Sequence, residues 1–139
     1  MSEKLDVVGI GNAMVDAIIP SNQSEIEKHE INRDSMNLID EGLKNNLHDS
    51  YSIREMAGGG SLGNSMFGIT SFGGNGSFIG KIKNDEIGIY LQKDMVREGL
   101  KFPLGFTSPD ISTGCCTIFV EEDGTRTMCT FLGAGTLIG

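Results

Sequence analysis

An α/β fold with a mostly parallel sheet is predicted by three observations. Short β-branched runs such as LDVVGIG at 5–11 are interleaved with segments of helical periodicity. A glycine-rich turn, AGGGSLGN at 57–64, joins a strand-like run to a helix-like one. The order strand, glycine turn, helix, strand, helix then layers helices on a sheet. At 139 residues the chain has the size of one domain with one hydrophobic core.

Leu5 to Gly11 suits a buried strand, and Met14 to Ile19 continues in strand-like composition until Pro20 stops it. Ser24 followed by Glu27 matches a capping box, predicting a short helix to about Glu30. Ser35 to Ile39 reads as a brief strand, and Asp40 caps a helix through His48. Ser52 to Met56 alternates weakly and leads into the triple glycine. Leu62, Met66, Ile69 and Phe72 recur at helical spacing, so a helix runs from Ser61 to the stop at Gly73-Gly74. GSFIGK at 76–81 reads as a strand, and Asp85 to Glu98 carries Ile87, Leu91 and Met95 on one helical face. Residues 112–132 read as a β-hairpin with Asp123-Gly124 in its turn. A four-residue loop there sets Cys116 opposite Cys129, whereas a two-residue turn shifts that register. The runs at about 13–20, 34–40 and 112–132 are expected to form a small separate sheet.

Composition excludes several function classes. Nineteen acidic against 11 basic residues give a net charge of −8, which argues against nucleic acid or an anionic membrane as partner. No run reaches the roughly 18 apolar residues of a membrane span, and MSEKLDVVGIG has no signal-peptide block. Three cysteines, Cys115, Cys116 and Cys129, make neither a metal-ligand spacing nor a disulfide framework, so the expected compartment is the cytoplasm.

Two features carry candidate chemistry. GIGNAM at 9–14 opens like a dinucleotide fingerprint, but Met14 replaces the third glycine and VDAIIP follows instead of a helix. The triple glycine lacks the GK[ST] ending of a phosphate-cradling loop. Its bare amides at a helix start, with Asn64 in the first turn, suit a hydroxyl-rich ligand; a tightly packed strand-to-helix turn is the alternative. Asp16 lies inside an apolar run, where it either faces solvent by strand alternation or accepts hydrogen bonds from a vicinal diol. Glu121, Glu122 and Asp123 read as a solvated turn. Arg126, the one basic residue of the hairpin, reads as a cross-strand ion-pair partner, and His29 and His48 read as surface helix residues.

Taken together, GIGNAMVD, GGSLGNSMFGITSFGG, FIGKIKNDEIG and TGCCTIFVEEDGTRTMCTFLGA resemble the ribokinase/PfkB carbohydrate-kinase family, most closely its adenosine kinase-like members. The resemblance covers essentially the whole chain, in the family's order. It implies the N-terminal part, 1–139, of a single three-layer α/β/α ribokinase-like domain with a small β-sheet lid built from the extra strands. It further implies transfer of the ATP γ-phosphoryl group, with Mg²⁺ and in some members K⁺, to a primary hydroxyl of adenosine or a related sugar. Asp16 then matches the carboxylate that holds ribose hydroxyls, with Asn12 beside it. Gly59 and Gly60 match a sugar-contacting di-glycine hinge, and Asn64 a sugar-binding asparagine. Met14, Met128 and Thr130 fall where lid side chains cover the base, and Arg126 where a lid arginine reaches the phosphoryl group. Gly58 is one glycine beyond the minimal pattern.

The family runs to roughly twice this length. Its GAGD-type motif with the catalytic aspartate, the anion hole and the nucleotide and metal sites are expected beyond Gly139. Thr136 stands where Gly133-Ala134-Gly135 would need the acid. The piece alone is therefore expected to be inactive, and to dimerise through its lid or an exposed sheet edge. The alternative is a truncated or decayed relative that binds a sugar or a partner without catalysis.

Overall fold

The computed structural model describes residues 4–59, 61–103 and 105–134. Their strands fall into three sheets. Strand β1 (Val7–Ile10) is followed by β2 (Met14–Pro20), helix α1 (Gln23–Lys28), β3 (Met36–Leu38) and α2 (Glu41–Ser50). Next come β4 (Glu55–Gly59), α3 (Ser61–Ser71), β5 (Gly76–Ile79), β6 (Ile82–Lys83) and α4 (Glu86–Arg97). The chain continues through β7 (Phe106–Ser108) to the hairpin β8 (Gly114–Val120) and β9 (Arg126–Phe131). β1 pairs with β5 and β6 with β7, both in parallel. The other five strands form one mixed sheet in the order β3-β9-β8-β2-β4, parallel at β3–β9 and β2–β8, antiparallel at β8–β9 and β2–β4. The predicted runs at 13–20, 34–40 and 112–132 all contribute to this sheet, and β4 joins them at its edge.

Alternation sorts that sheet into two faces. Val15, Ala17 and Cys115 point to a core shared with Met66 of α3, Phe78 of β5, and Ile87, Leu91 and Met95 of α4. Further along, Ile19, Phe119 and Cys129 pack on Ile26 of α1 and Leu47 of α2. Burying each of the Val, Leu, Ile, Phe and Met side chains among them contributes about 1.5–3 kcal/mol. The opposite face carries Met14, Cys116 and Ile118, with Ile18 and Val120 of the same strands packed against them.

Several local expectations change for stated reasons. Asn22, not Ser24, caps α1: its Oδ1 accepts from the Glu25 N–H at 3.0 Å, while Glu27 bonds Gln23 instead of closing a capping box. Asp40 caps α2 as expected, accepting from Leu43 N–H at 2.8 Å. Phe72 is 93% exposed, because α3 ends at Ser71 and the chain turns before the periodicity can bury it. In the hairpin, Val120 pairs with Arg126 across five residues, so Cys116 faces Thr130 and neither predicted register holds. Cys116 and Cys129 consequently lie on opposite faces, and all three cysteines are free. Glu121 is buried rather than solvated, and forms a bidentate pair with Arg33 at 2.8 and 3.0 Å.

Candidate functional site

The face of the five-stranded sheet against which no helix packs among the described residues gathers most of the residues singled out in the sequence. Register places Leu38, Thr130, Cys116, Asp16 and Ala57 in one row across β3, β9, β8, β2 and β4. The neighbouring row holds Met36, Met128, Ile118, Ile18 and Glu55. On the other side of Asp16, Met14 pairs with both Gly114 and Gly59. Asp16, Met14, Thr130 and Met128 therefore share a surface, with the Gly59 backbone at its margin. Arg126 lies farther out on β9, exposed, and has no acidic partner among the described residues. Asn12 is exposed in the β1–β2 connection, and Asn64 is exposed in the first turn of α3. Gly60 lies outside the described residues.

Asp16 is the polar centre of this surface. It is half-buried, and burial pushes its carboxyl above the ordinary value of 3.8. Among the described residues no group donates a hydrogen bond to it. A carboxylate in that setting gains about 1.5–3 kcal/mol for each hydroxyl that donates to it. Around it the lining is apolar or weakly polar: Met14 and Cys116 are buried, Met128 is 38% exposed, and the Thr130 hydroxyl donates to Cys116 Sγ at 3.6 Å. One anionic acceptor beside methionine thioethers can hold a molecule with adjacent hydroxyls at one end and an apolar plane at the other.

The reverse side holds different chemistry. A cleft of about 700 Å³ is lined by residues of α2, β4 and the start of α4, including Lys44, His48, Met56 and Glu86. Asp16 is not among them. His48 is not a surface residue: its Nε2 lies 2.8 Å from Thr117 Oγ1 and 3.9 Å from Cys115 Sγ, and burial lowers its pKa. Burial also pushes the Cys115 thiol up to about 12, so it is no nucleophile at neutral pH.

Two residues without any sequence motif bear on the glycine turn. Tyr90 and Asp94 of α4 hydrogen-bond to Met56 and Gly58 of β4. Only the spacing of four residues on one helix could have marked them, and that spacing is common.

As to cofactors, among the described residues no three His, Cys, Asp or Glu side chains are grouped to hold a metal ion.

A family model described as pfkB family carbohydrate kinase matches residues 4–136. The structure is similar to a probable sugar kinase protein from Rhizobium etli CFN 42, with TM-score 0.82 and 32% identity, over 97% of this chain and 41% of that one. It is also similar to the adenosine kinase from Sinorhizobium meliloti, with TM-score 0.80 and 36% identity, over 99% of this chain and 42% of that one. The adenosine kinase of Anopheles gambiae shares the fold at TM-score 0.81 and 22% identity, over 96% of this chain and 41% of that one. No curated protein matches the sequence. The chain thus spans about two fifths of the length of these solved structures. Its architecture is a three-layer α/β/α ribokinase-like body, partial relative to them. With 4–136 matched by the family model, the chain belongs to the pfkB family of carbohydrate kinases.

Proposed function

We propose that this chain supplies the acceptor-binding part of an ATP-dependent, adenosine kinase-like enzyme. That enzyme moves the γ-phosphoryl group to a primary hydroxyl of adenosine or a related ribose-containing or sugar substrate. The observation that carries the reading is Asp16: a half-buried carboxylate on the sheet face that no described helix covers, with no donor among the described residues. The vicinal hydroxyls of a ribose supply two donors to one such carboxylate. Asn12 and Asn64 offer further donors and acceptors, and the Gly59 and Gly60 backbone lets the sugar approach closely. Met14, Met128 and Thr130 cover the base, and Arg126 reaches toward the transferred phosphoryl group.

The five-stranded sheet acts as the lid of a single domain. In the full-length enzyme, ATP with Mg²⁺, and with K⁺ in some family members, would supply the phosphoryl group and its charge neutralisation from residues other than these; the residues of this chain bind the acceptor and shield it from water. With adenosine as acceptor the reaction belongs to purine salvage, and the three free cysteines fit a cytoplasmic, reducing setting. A second copy of the chain pairs through the lid sheet or along the edge of β1 that has no strand partner among the described residues.

Calorimetric titration with adenosine and with ribose tests the reading on the wild-type chain and on Asp16→Ala and Asn64→Ala. The expected result is adenosine binding weakened about tenfold or more by Asp16→Ala, one charged hydrogen bond being equivalent to that factor. Unchanged affinity in both variants overturns the assignment.

A further inference from the structure

The turn that bears the proposed acceptor site is gripped from behind by helix α4. β4 is the outermost strand of the five-stranded sheet, so alternate backbone groups on its far side have no strand to bond. All five residues of β4 stand in register with β2, Met56 opposite Ala17 and Gly58 opposite Val15. The Met56 carbonyl and the Gly58 N–H, however, bond to α4. The Tyr90 hydroxyl donates to the Met56 carbonyl at 2.5 Å, and the Gly58 N–H donates to Asp94 Oδ2 at 3.3 Å. Tyr90 and Asp94 are one helical turn apart, so both project from the same side of α4. The spacing of four along the helix matches the step of two along the strand.

Asp94 is itself fixed. It is 9% exposed, and its Oδ1 accepts from the Arg97 guanidinium. Gly58 is shaped to receive it: an added Cβ would lie 2.7 Å from the Phe67 ring and 3.0 Å from Asp94 Oδ2. Packing therefore favours glycine here, since an added Cβ would crowd first the Phe67 ring and then the Asp94 carboxylate. Glycine backbones sample more conformations than any other residue, and a glycine run placed freely would not hold one geometry.

We propose that Tyr90 and Asp94 are positioning residues for the acceptor site. They fix the course of β4 up to Gly58, and thereby set where the Gly59 backbone and the start of α3 stand relative to Asp16. This rests on the acceptor-site reading above, whose own test is Asp16→Ala.

The test uses Tyr90→Phe, Asp94→Leu and Asp94→Asn, each read by adenosine titration and by the NMR exchange rate of the Gly58 amide. Asparagine keeps an oxygen for the Gly58 N–H but loses the charge that pairs with Arg97. Asp94→Leu and Tyr90→Phe are expected to raise the adenosine Kd roughly fivefold, the equivalent of one neutral hydrogen bond, and Asp94→Leu to speed Gly58 exchange. Asp94→Asn is expected to stay within about twofold on both readouts. A purely structural role through Arg97 would instead move the two Asp94 variants together. Where Asp94→Leu does not fold, Tyr90→Phe, which removes one oxygen, carries the affinity test. Unchanged affinity in Tyr90→Phe and Asp94→Leu, with binding still lost in Asp16→Ala, overturns the positioning role. If Asp16→Ala binds normally, the acceptor site falls instead, and Gly58 exchange alone decides on the clamp: faster in Asp94→Leu than in Asp94→Asn supports it, equal rates overturn it.

Discussion

At the scale of single residues, Asp16 sets stability against binding. Desolvation raises its folded pKa above the ordinary 3.8, so the fold prefers the protonated carboxyl. The stabilisation gained on protonation is fully present below the unfolded value and is lost as pH rises through the folded one. Binding of a diol needs the carboxylate, so affinity moves the opposite way and declines as pH falls through that same raised value. Asp16→Asn should therefore leave the free chain slightly more stable at pH 7, by less than about 1 kcal/mol because the half-exposed charge is screened. It should also weaken adenosine. Thermal melts and titrations across pH 4–8 check both; an Asn variant less stable at pH 7 and more stable only in acid contradicts the desolvated carboxylate. The residue was visible in the sequence as an acid inside MVDAII, yet strand alternation alone left it facing either solvent or a ligand. Deciding required knowing that Cys116 and Ala57 flank it in register, information carried by pairing across the chain.

Helices were legible where capping and periodicity agree. Asp40 and Asp85 both sit at N-caps, and Ile87, Leu91 and Met95 form the buried stripe that their spacing foretold. Asp85 does more than cap. One oxygen accepts from Gly88 N–H at 2.8 Å, and the pair also takes the Thr113 N–H at 3.0 Å and hydroxyl at 2.8 Å, tying α4 to the start of β8. Asp85→Ala should cost about 2–4 kcal/mol, a cap plus one or two buried hydrogen bonds, where Asp40→Ala should cost about 1 kcal/mol. Urea unfolding of the two variants distinguishes them; equal losses mean that the tie to Thr113 contributes nothing. Strands were less legible. β4 extends through Ala57, Gly58 and Gly59, residues of poor strand propensity, because β2 and α4 supply partners for both edges of their backbone. β6 and β7 are too short to leave a periodic trace and are held by pairing with each other.

For the whole molecule, β1 is the exposed strand, whereas its partner β5 is largely buried. Val8 is 51% and Ile10 61% exposed, on a strand that among the described residues pairs along one side only. Apolar edge strands of this kind recruit other strands. The 139-residue chain should self-associate through β1 at micromolar concentration, and Val8→Lys should return it to a monomer. Sedimentation velocity reads this directly, and a well-behaved wild-type monomer contradicts it. The layered fold and the strands other than β4, β6 and β7 were readable from patterns within short windows, whereas the surface around Asp16 combines strands drawn from 14–20, 36–38, 55–59 and 114–131. No window contains it; only the order β3-β9-β8-β2-β4 does.

That order also limits how the family member can change. The five-stranded sheet presents odd-numbered residues of β2 to one side and even-numbered ones to the other, so inserting a single residue ahead of Asp16 within the strand would exchange them. The carboxylate would be driven in among Met66 and Phe78 while Val15 took its place outside. Length variation inside β2 is therefore tolerable only in steps of two, and any odd change must be absorbed in the connections at 11–13 or 21–22.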